Sequence, residues 1–321
     1  MKKLTVLLFV ISAVIHANAQ KRQNVYFLKN NGQQVKIADS SDYVRLIDEP
    51  DANETNYNVR EFYKSGEKKL IGKVSSFDPR IIFEGIVISY HKNGAQKSII
   101  NYKKGVRTGL ANYYFENGKI EKEIEYVENQ QPQSKESIPK LIFQADSLGK
   151  VQVKDGKGHL LQRTKIEKDS LIEEGNYKDG FKDSVWTGRY LSGKSSYTET
   201  YSATKLLSGV STVGDQKFEY TVLESAPQFS GGMPAFYKYL GRTIKYPSDA
   251  YTNKISGSVV VNFVVEKDGQ ITAVQINRAV FPSIDAEALR VVSASPKWIP
   301  GMQRGLPVRV KYNIPIKFSL R

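Results

Sequence analysis

Gly188 to Ser195 reads GRYLSGKS and satisfies G-x-x-x-x-G-K-[ST], the pattern of a loop whose backbone N–H groups and lysine cradle phosphates. That chemistry needs a strand before the loop and a helix after it, so that N–H groups and a helix N-terminus converge on the anion. Here the next residues, SSYTETY, are strand formers, and Gly193-Lys194 repeats Gly118-Lys119 of an earlier segment. Turn chemistry accounts for the match, and no nucleotide site is expected. Other reactive constellations are missing. His16 lies in the N-terminal apolar run, His91 in a turn and His159 beside Gly158, and there is no cysteine. Neither a His-rich metal site nor a thiol nucleophile can be assembled from these. No pattern of serines or carboxylates points to catalysis, so the expectation is a non-catalytic protein with no cofactor and no metal.

A chain of 321 residues, 40% apolar and 25% charged, can bury two or three cores. Its first residues, MKKLTVLLFVISAVIHANAQ, give a Lys2-Lys3 start, an apolar run from Leu4 to Ile15 and a small-residue Ala17-Asn18-Ala19 site. This reads as a cleavable export signal over 1–19. The run is shorter than the roughly 20 apolar residues of a spanning helix. The mature chain is therefore expected in the periplasm or cell envelope, and without cysteine it has neither a disulfide nor an acylated anchor. Residues 226–321 hold 13 Lys and Arg against 5 Asp and Glu, and no acidic residue follows Glu287. On an exported chain such a basic surface suits anionic envelope surfaces or acidic protein segments rather than nucleic acid, unless the cations only solvate an edge strand.

Between residues 60 and 205 a short theme recurs: FYKSG, SYHKNG, YYFENG, NYKDG, RYLSG. Gly66, Gly94 and Gly118 are 28 and 24 residues apart. A longer echo sets YKKGVRTGLANYYFENGKIEKEIEY from Tyr102 against YKDGFKDSVWTGRYLSGKSSYTETY from Tyr177. Aromatic strand residues flanking N-G or D-G turns make each unit a β-hairpin. The pattern resembles MORN-type repeats and predicts an all-β hairpin array over 20–210, with a break at the polar, proline-containing segment 128–139. The aromatics either form a binding face or pack between hairpins, and packing is the simpler reading.

From Phe218 the pattern changes, and a separate domain is expected over 218–321. Pro234 opens a short helix to about Leu240. Ser258–Glu266 and Ile271–Ala279 are β-rich runs joined at Asp268-Gly269, a hairpin signal. Ile284, Ala288, Val291 and Val292 form one helical stripe, ended by Pro296. In the closing LPVRVKYNIPIKFSLR every even position from 306 to 320 is apolar and every odd one is not. Strict alternation predicts one strand with one face on a core and one in water. Its prolines confine it to an edge, which another chain could join.

This order, with Tyr246-Pro247, Gly257, Asp268-Gly269, Trp298, Pro300 and Gly301 and the final alternating strand, resembles the C-terminal domain of TonB over about 100 residues. The resemblance implies an α+β fold, a small antiparallel sheet with helices. It also implies a binding role, in which the periplasmic N-terminal box peptide of an outer-membrane TonB-dependent receptor adds as a strand beside the last strand, here at Val308, Arg309, Val310, Lys311, Tyr312, Asn313 and Ile314. Two departures stand out. Thr243-Ile244-Lys245 replaces the Gln-Pro that often precedes the family's Tyr-Pro, and stacked hairpins take the place of a proline-rich spacer. Inner-membrane motor proteins are partners only if the N-terminus stays uncleaved. The expected function is that of a periplasmic adaptor in transmembrane transport. The alternative is a structural repeat protein on envelope lipid or peptidoglycan, whose terminal domain serves folding or homodimerises through its edge.

The export reading has a direct check: N-terminal sequencing of the protein recovered from the envelope is expected to begin at Gln20. Recovery of membrane-bound chain beginning at Met1 would replace the cleavable signal with an anchor.

Overall fold

The computed structural model describes residues 22–129 and 136–320. Two compact units divide the chain, one up to Val151 and one from Gln152 onward. The expected signal at 1–19 lies outside the described residues.

The first unit is built of strands: β1 (Gln23–Leu28), β2 (Gln34–Val35), β3 (Tyr43–Asp48), β4 (Tyr57–Tyr63), β5 (Lys68–Ser76), β6 (Ile82–Tyr90), β7 (Gln96–Lys103), β8 (Val106–Tyr114), β9 (Ile120–Val127) and β10 (Ile138–Ala145). From β3 to β10 each strand pairs antiparallel with the next, and β1 pairs with β2 and β3. The recurring N-G pairs are the hairpin tips. Gly94 and Gly118 take φ of +82° and +80°, which a Cβ disfavours. Asn93 and Asn117 each accept the N–H two residues on at 3.0 Å. Period-two alternation then places Ile47 opposite Val59, Val87 opposite Ile100, and Ala111 opposite Ile124, in a buried row across the sheet. The carboxylate of Glu61, 2% exposed, is satisfied locally, by Arg45 directly opposite at 2.6 Å and by Lys69. Residues 130–135 of the expected break at 128–139 lie outside the described residues, and on either side of them Val127 pairs with Ile138. Polar composition marks a connection but not whether the strands it joins are partners.

The second unit opens with β11 (Val151–Lys154), β12 (Lys157–Ile166), β13 (Asp169–Lys178), β14 (Phe181–Tyr190), β15 (Ser196–Ser202), β16 (Lys205–Val213) and β17 (Gln216–Tyr220), so strands continue past the expected limit at 210. Register sets Leu160, Gly175, Trp186, Glu199, Gly209 and Tyr220 in one row across six strands. Three cross-strand pairs of this sheet set a glycine against a ring, for a steric reason. Trp186 lies on Gly175, Tyr197 on Gly188 and Tyr220 on Gly209, and a Cβ at any of the three glycines would enter the ring. A ring laid over a glycine of the next strand buries apolar area without a second layer of structure. Trp186 is fully buried and donates Nε1–H to the Asn176 carbonyl at 3.0 Å.

The GRYLSGKS segment is explained by this packing. Gly188 is the strand residue beneath Tyr197, Gly193 is a turn tip at φ +74°, and β15 follows where a phosphate loop needs a helix. Lys194 already has a carboxylate, Asp169 at 3.4 Å, and its ammonium lies 3.9 Å over the Tyr190 ring. The Ser192 hydroxyl, with the Ser170 N–H, holds the Asp169 carboxyl at about 2, so a fixed negative charge stands where phosphate would bind.

The terminal domain comprises β18 (Glu224–Ser225), α1 (Gly232–Thr243), α2 (Ser248–Thr252), β19 (Gly257–Val265), β20 (Ile271–Arg278), α3 (Pro282–Ser293), β21 (Gly301–Gln303), β22 (Leu306–Val308) and β23 (Val310–Phe318). The α+β domain after a hairpin array is the fold class that the sequence predicts. The stripe Ile284, Ala288, Val291 and Val292 packs on the buried face of β19 and β23, with Phe236, Leu240 and Trp298 completing the core. Helix α1 is longer than expected at both ends, and α2 is unanticipated. The predicted strand over 306–320 is two strands. β22 pairs with β21, and beyond Arg309 β23 pairs with β19. Alternation reports which face is buried and is blind to a change of partner.

The tip of the β21–β22 hairpin, Arg304-Gly305 at φ of 49° and 74°, reaches the hairpin strands of the same unit. Arg304 Nε donates to Glu199 Oε1 at 2.7 Å, and the guanidinium lies 3.9 Å over the Tyr197 ring. Glu199 is 0% exposed and also accepts the hydroxyls of Tyr201 and Tyr220, each at 2.8 Å. The Arg304 N–H donates to the Leu223 carbonyl and its carbonyl accepts from Ser211 Oγ, both at 2.7 Å. Burial opposes the charge on Arg304, but the Glu199 hydrogen bond, Tyr197 and Glu173 leave its pKa raised. In the aligned echo Ile124 takes the place of Glu199. The carboxylate therefore interrupts an apolar row, and Arg304 is the cation that neutralises it.

Breaking a buried ion pair from one side is costly, so Arg304→Ala is expected to lower the unfolding free energy by about 3–5 kcal/mol in urea titration. Arg304→Met combined with Glu199→Ile, the residue of the earlier repeat, is expected to recover most of it. An Arg304→Ala protein as stable as wild type would show that the pair holds nothing. Lys194→Ala, on the surface, should move stability by about 0.5 kcal/mol or less and should leave ATP titrations as flat as the wild type's. Saturable ATP binding lost in that variant would restore the phosphate-loop reading.

Candidate functional site

The three-stranded sheet has the order β20-β19-β23, so β20 and β23 are both edges. They differ in regularity. β20 shifts register twice against β19 and holds Ala273 at φ +49°, and such irregularity blunts an edge. β23 pairs with β19 through nine consecutive residues, Val310 opposite Val265 to Phe318 opposite Gly257, with no shift. Its far side is a straight row of unpaired peptide groups.

Behind that edge the support is rigid. Tyr312 packs on Phe263 and Trp298 with ring centroids 5.7 and 5.6 Å apart, and Ile314, Ile316 and Phe318 are buried. Lys311, Asn313, Pro315 and Lys317 face water. Of the seven residues expected to meet a partner, Val310, Lys311, Tyr312, Asn313 and Ile314 lie on the open edge. Val308 pairs with Gly301 in the other small sheet, and Arg309 lies in the break between strands. Arg309 is also not a free cation. Its Nε meets Glu266 at 2.9 and 3.1 Å, and Glu266 also accepts the Thr272 hydroxyl at 2.5 Å. Thr272 and then Arg309 hold the Glu266 carboxyl below the usual range. The charge on the edge belongs to Lys311 and Lys317, neither of which has an ion pair among the described residues.

Alongside the far end of β23 an open groove of about 670 Å³ runs between the strand and α1. Tyr237, Leu240, Gly241 and Ile244 form its helix side, and Tyr246, Ile316 and Phe318 its floor. Sequence reasoning missed it. The signal was a tyrosine on the solvent side of a short amphipathic helix, and Tyr237 is 53% exposed.

The motif residues prove to be scaffold. Tyr246 donates its hydroxyl to the Ile255 carbonyl and packs against Phe318. Pro247 precedes α2, and Pro300 precedes β21. A Cβ on Gly257 would come within 2.7 Å of Val280, and one on Gly301 within 2.6 Å of Val310. Trp298 is ringed by Phe229, Phe236, Phe263 and Tyr312, its backbone N–H donates to the Gly269 carbonyl at 2.9 Å and its indole N–H to Ser295 Oγ at 3.1 Å. These residues fix where β23 lies. Among the described residues no cluster of three or more His, Asp or Glu could hold a metal ion, and no helix is long and apolar enough to cross a membrane.

Residues 242–320 match the family model of the Gram-negative bacterial TonB protein C-terminal. The match takes in α2, α3 and strands β19 to β23, and begins only at the last two residues of α1. No curated protein and no solved structure matches the chain. The terminal domain is thus of the TonB C-terminal type, an envelope-associated family of binding and energy-transducing domains that interact with outer-membrane receptors and are not enzymes.

Proposed function

We propose that the protein is a periplasmic adaptor in transport across the envelope, and that it docks on outer-membrane TonB-dependent receptors by accepting their N-terminal box peptide as a strand beside β23. One observation carries this reading: a nine-residue edge strand that pairs with β19 without a register shift, backed by a packed core, in a domain of TonB C-terminal type. Main-chain groups supply affinity in strand addition, so a straight ladder matters more than any one side chain. Proline is tolerated on an edge strand with its missing N–H on the outer side. By that rule the odd-numbered residues turn their peptide groups outward, Lys311 and Asn313 offer donors, and Pro315 interrupts the row.

Arg309, paired with Glu266 and outside the ladder, is the wrong position to probe. Asn313→Pro removes an outward donor from an exposed position opposite Asn262 and spares the apolar face. Calorimetry with receptor box peptides should show binding to wild type that falls about tenfold or more in Asn313→Pro, a loss of ~1.4 kcal/mol or more. Hydrogen exchange should show peptide-dependent protection at Lys311 and Asn313. Equal binding by both proteins, or protection that depends on protein concentration and not on peptide, would remove the edge as the receptor site. The latter result would indicate pairing with a second copy.

A further inference from the structure

A strand added beside β23 continues the alternation of its neighbour, with every second side chain on the face of Ile314, Ile316 and Phe318 and the rest on the face of Lys311 and Lys317. The two faces offer different chemistry. On the buried side the added side chains approach the groove of about 670 Å³ beside α1, which Tyr237, Ile244 and Tyr246 line with apolar surface and whose rim carries Lys317. On the solvent side they run past the ammonium groups of Lys311 and Lys317, which have no ion pair among the described residues. The acidic groups nearby are engaged: Glu266 by Arg309, Asp268 by Lys297 and Glu287 by Arg290. Tyr237, Leu240 and Gly241 of this wall lie before the matched residues 242–320.

We infer that the edge selects an extended peptide that alternates bulky apolar with acidic residues, with Tyr237 as the anchor wall for an apolar side chain and Lys311 and Lys317 as the cations that read the acidic ones. This rests on strand addition at β23. A straight backbone ladder gives affinity without discrimination, whereas a side-chain pocket on one face and unneutralised charge on the other fix both register and partner. A peptide slipped by one residue would turn its carboxylates into the apolar groove and leave its apolar groups against the lysines.

The test uses the full chain and three short synthetic peptides. The first alternates glutamate with leucine or phenylalanine, the second has lysine for glutamate, and the third has serine for the apolar residues. The first should bind about tenfold or more tighter than the second at low salt, with the gap narrowing as salt rises. Lys311→Glu with Lys317→Glu should reverse that preference. Tyr237→Ala, at an exposed position, should weaken the first peptide several-fold and leave the third unchanged. If β23 amides are protected by all three peptides equally, the selection is overturned while strand addition stands. If none protects β23, strand addition itself fails. If the glutamate preference survives charge reversal, the lysines are not the readers.

Discussion

A buried carboxylate cannot remain without a cation, and in the second unit that requirement is met across 105 residues of sequence by Arg304 on Glu199. The same problem arises in the first unit at Glu61, where Arg45 and Lys69 on adjacent strands supply the charge. Glu199 has Trp186 and Gly209 as its cross-strand neighbours, and so its partner comes from the terminal domain. The hairpin that carries Arg304 is therefore held over these strands, and β22 and β23 follow within a few residues. The pair thus ties the β21–β22 hairpin to β15, while Tyr246, Gly257, Trp298 and Gly301 fix where β23 lies.

Around the edge, stiffness and openness are kept apart. The residues that the sequence resemblance makes conspicuous, Tyr246, Gly257, Trp298 and Gly301, are consumed in packing, while the outer peptide groups of β23 and the groove beside α1 are left open. Edges are usually blunted by bulges, and β20 is. β23 instead keeps nine consecutive pairs and exposes Lys311, Asn313, Pro315 and Lys317, so solubility and a regular ladder coexist on one strand.

The sequence made local features legible and long-range ones not. Hairpin tips at Asn93-Gly94 and Asn117-Gly118, the α3 stripe and the alternation of β23 are written in residues close together in the chain, and each reappears where expected. The fate of Arg309 was not legible, because Glu266 lies 43 residues away and alternation persists through the change of partner. Glu199 did carry a signal: a carboxylate where its repeat has Ile124. Reading it required setting the two echoes in register and asking why an apolar position had become acidic. The groove escaped because it depends on where α1 rests, which no periodicity encodes.

Rings seated on glycines have a consequence for length. In a layered fold the core sets a volume, and an inserted element must find room inside it. Away from Glu199, each glycine–ring pair is completed by the neighbouring strand alone, so another hairpin could be spliced in there without repacking the rest. Each added hairpin would extend the row by two strand spacings, about 10 Å. The length of such an array would change by whole hairpins as the gene gains or loses a repeat.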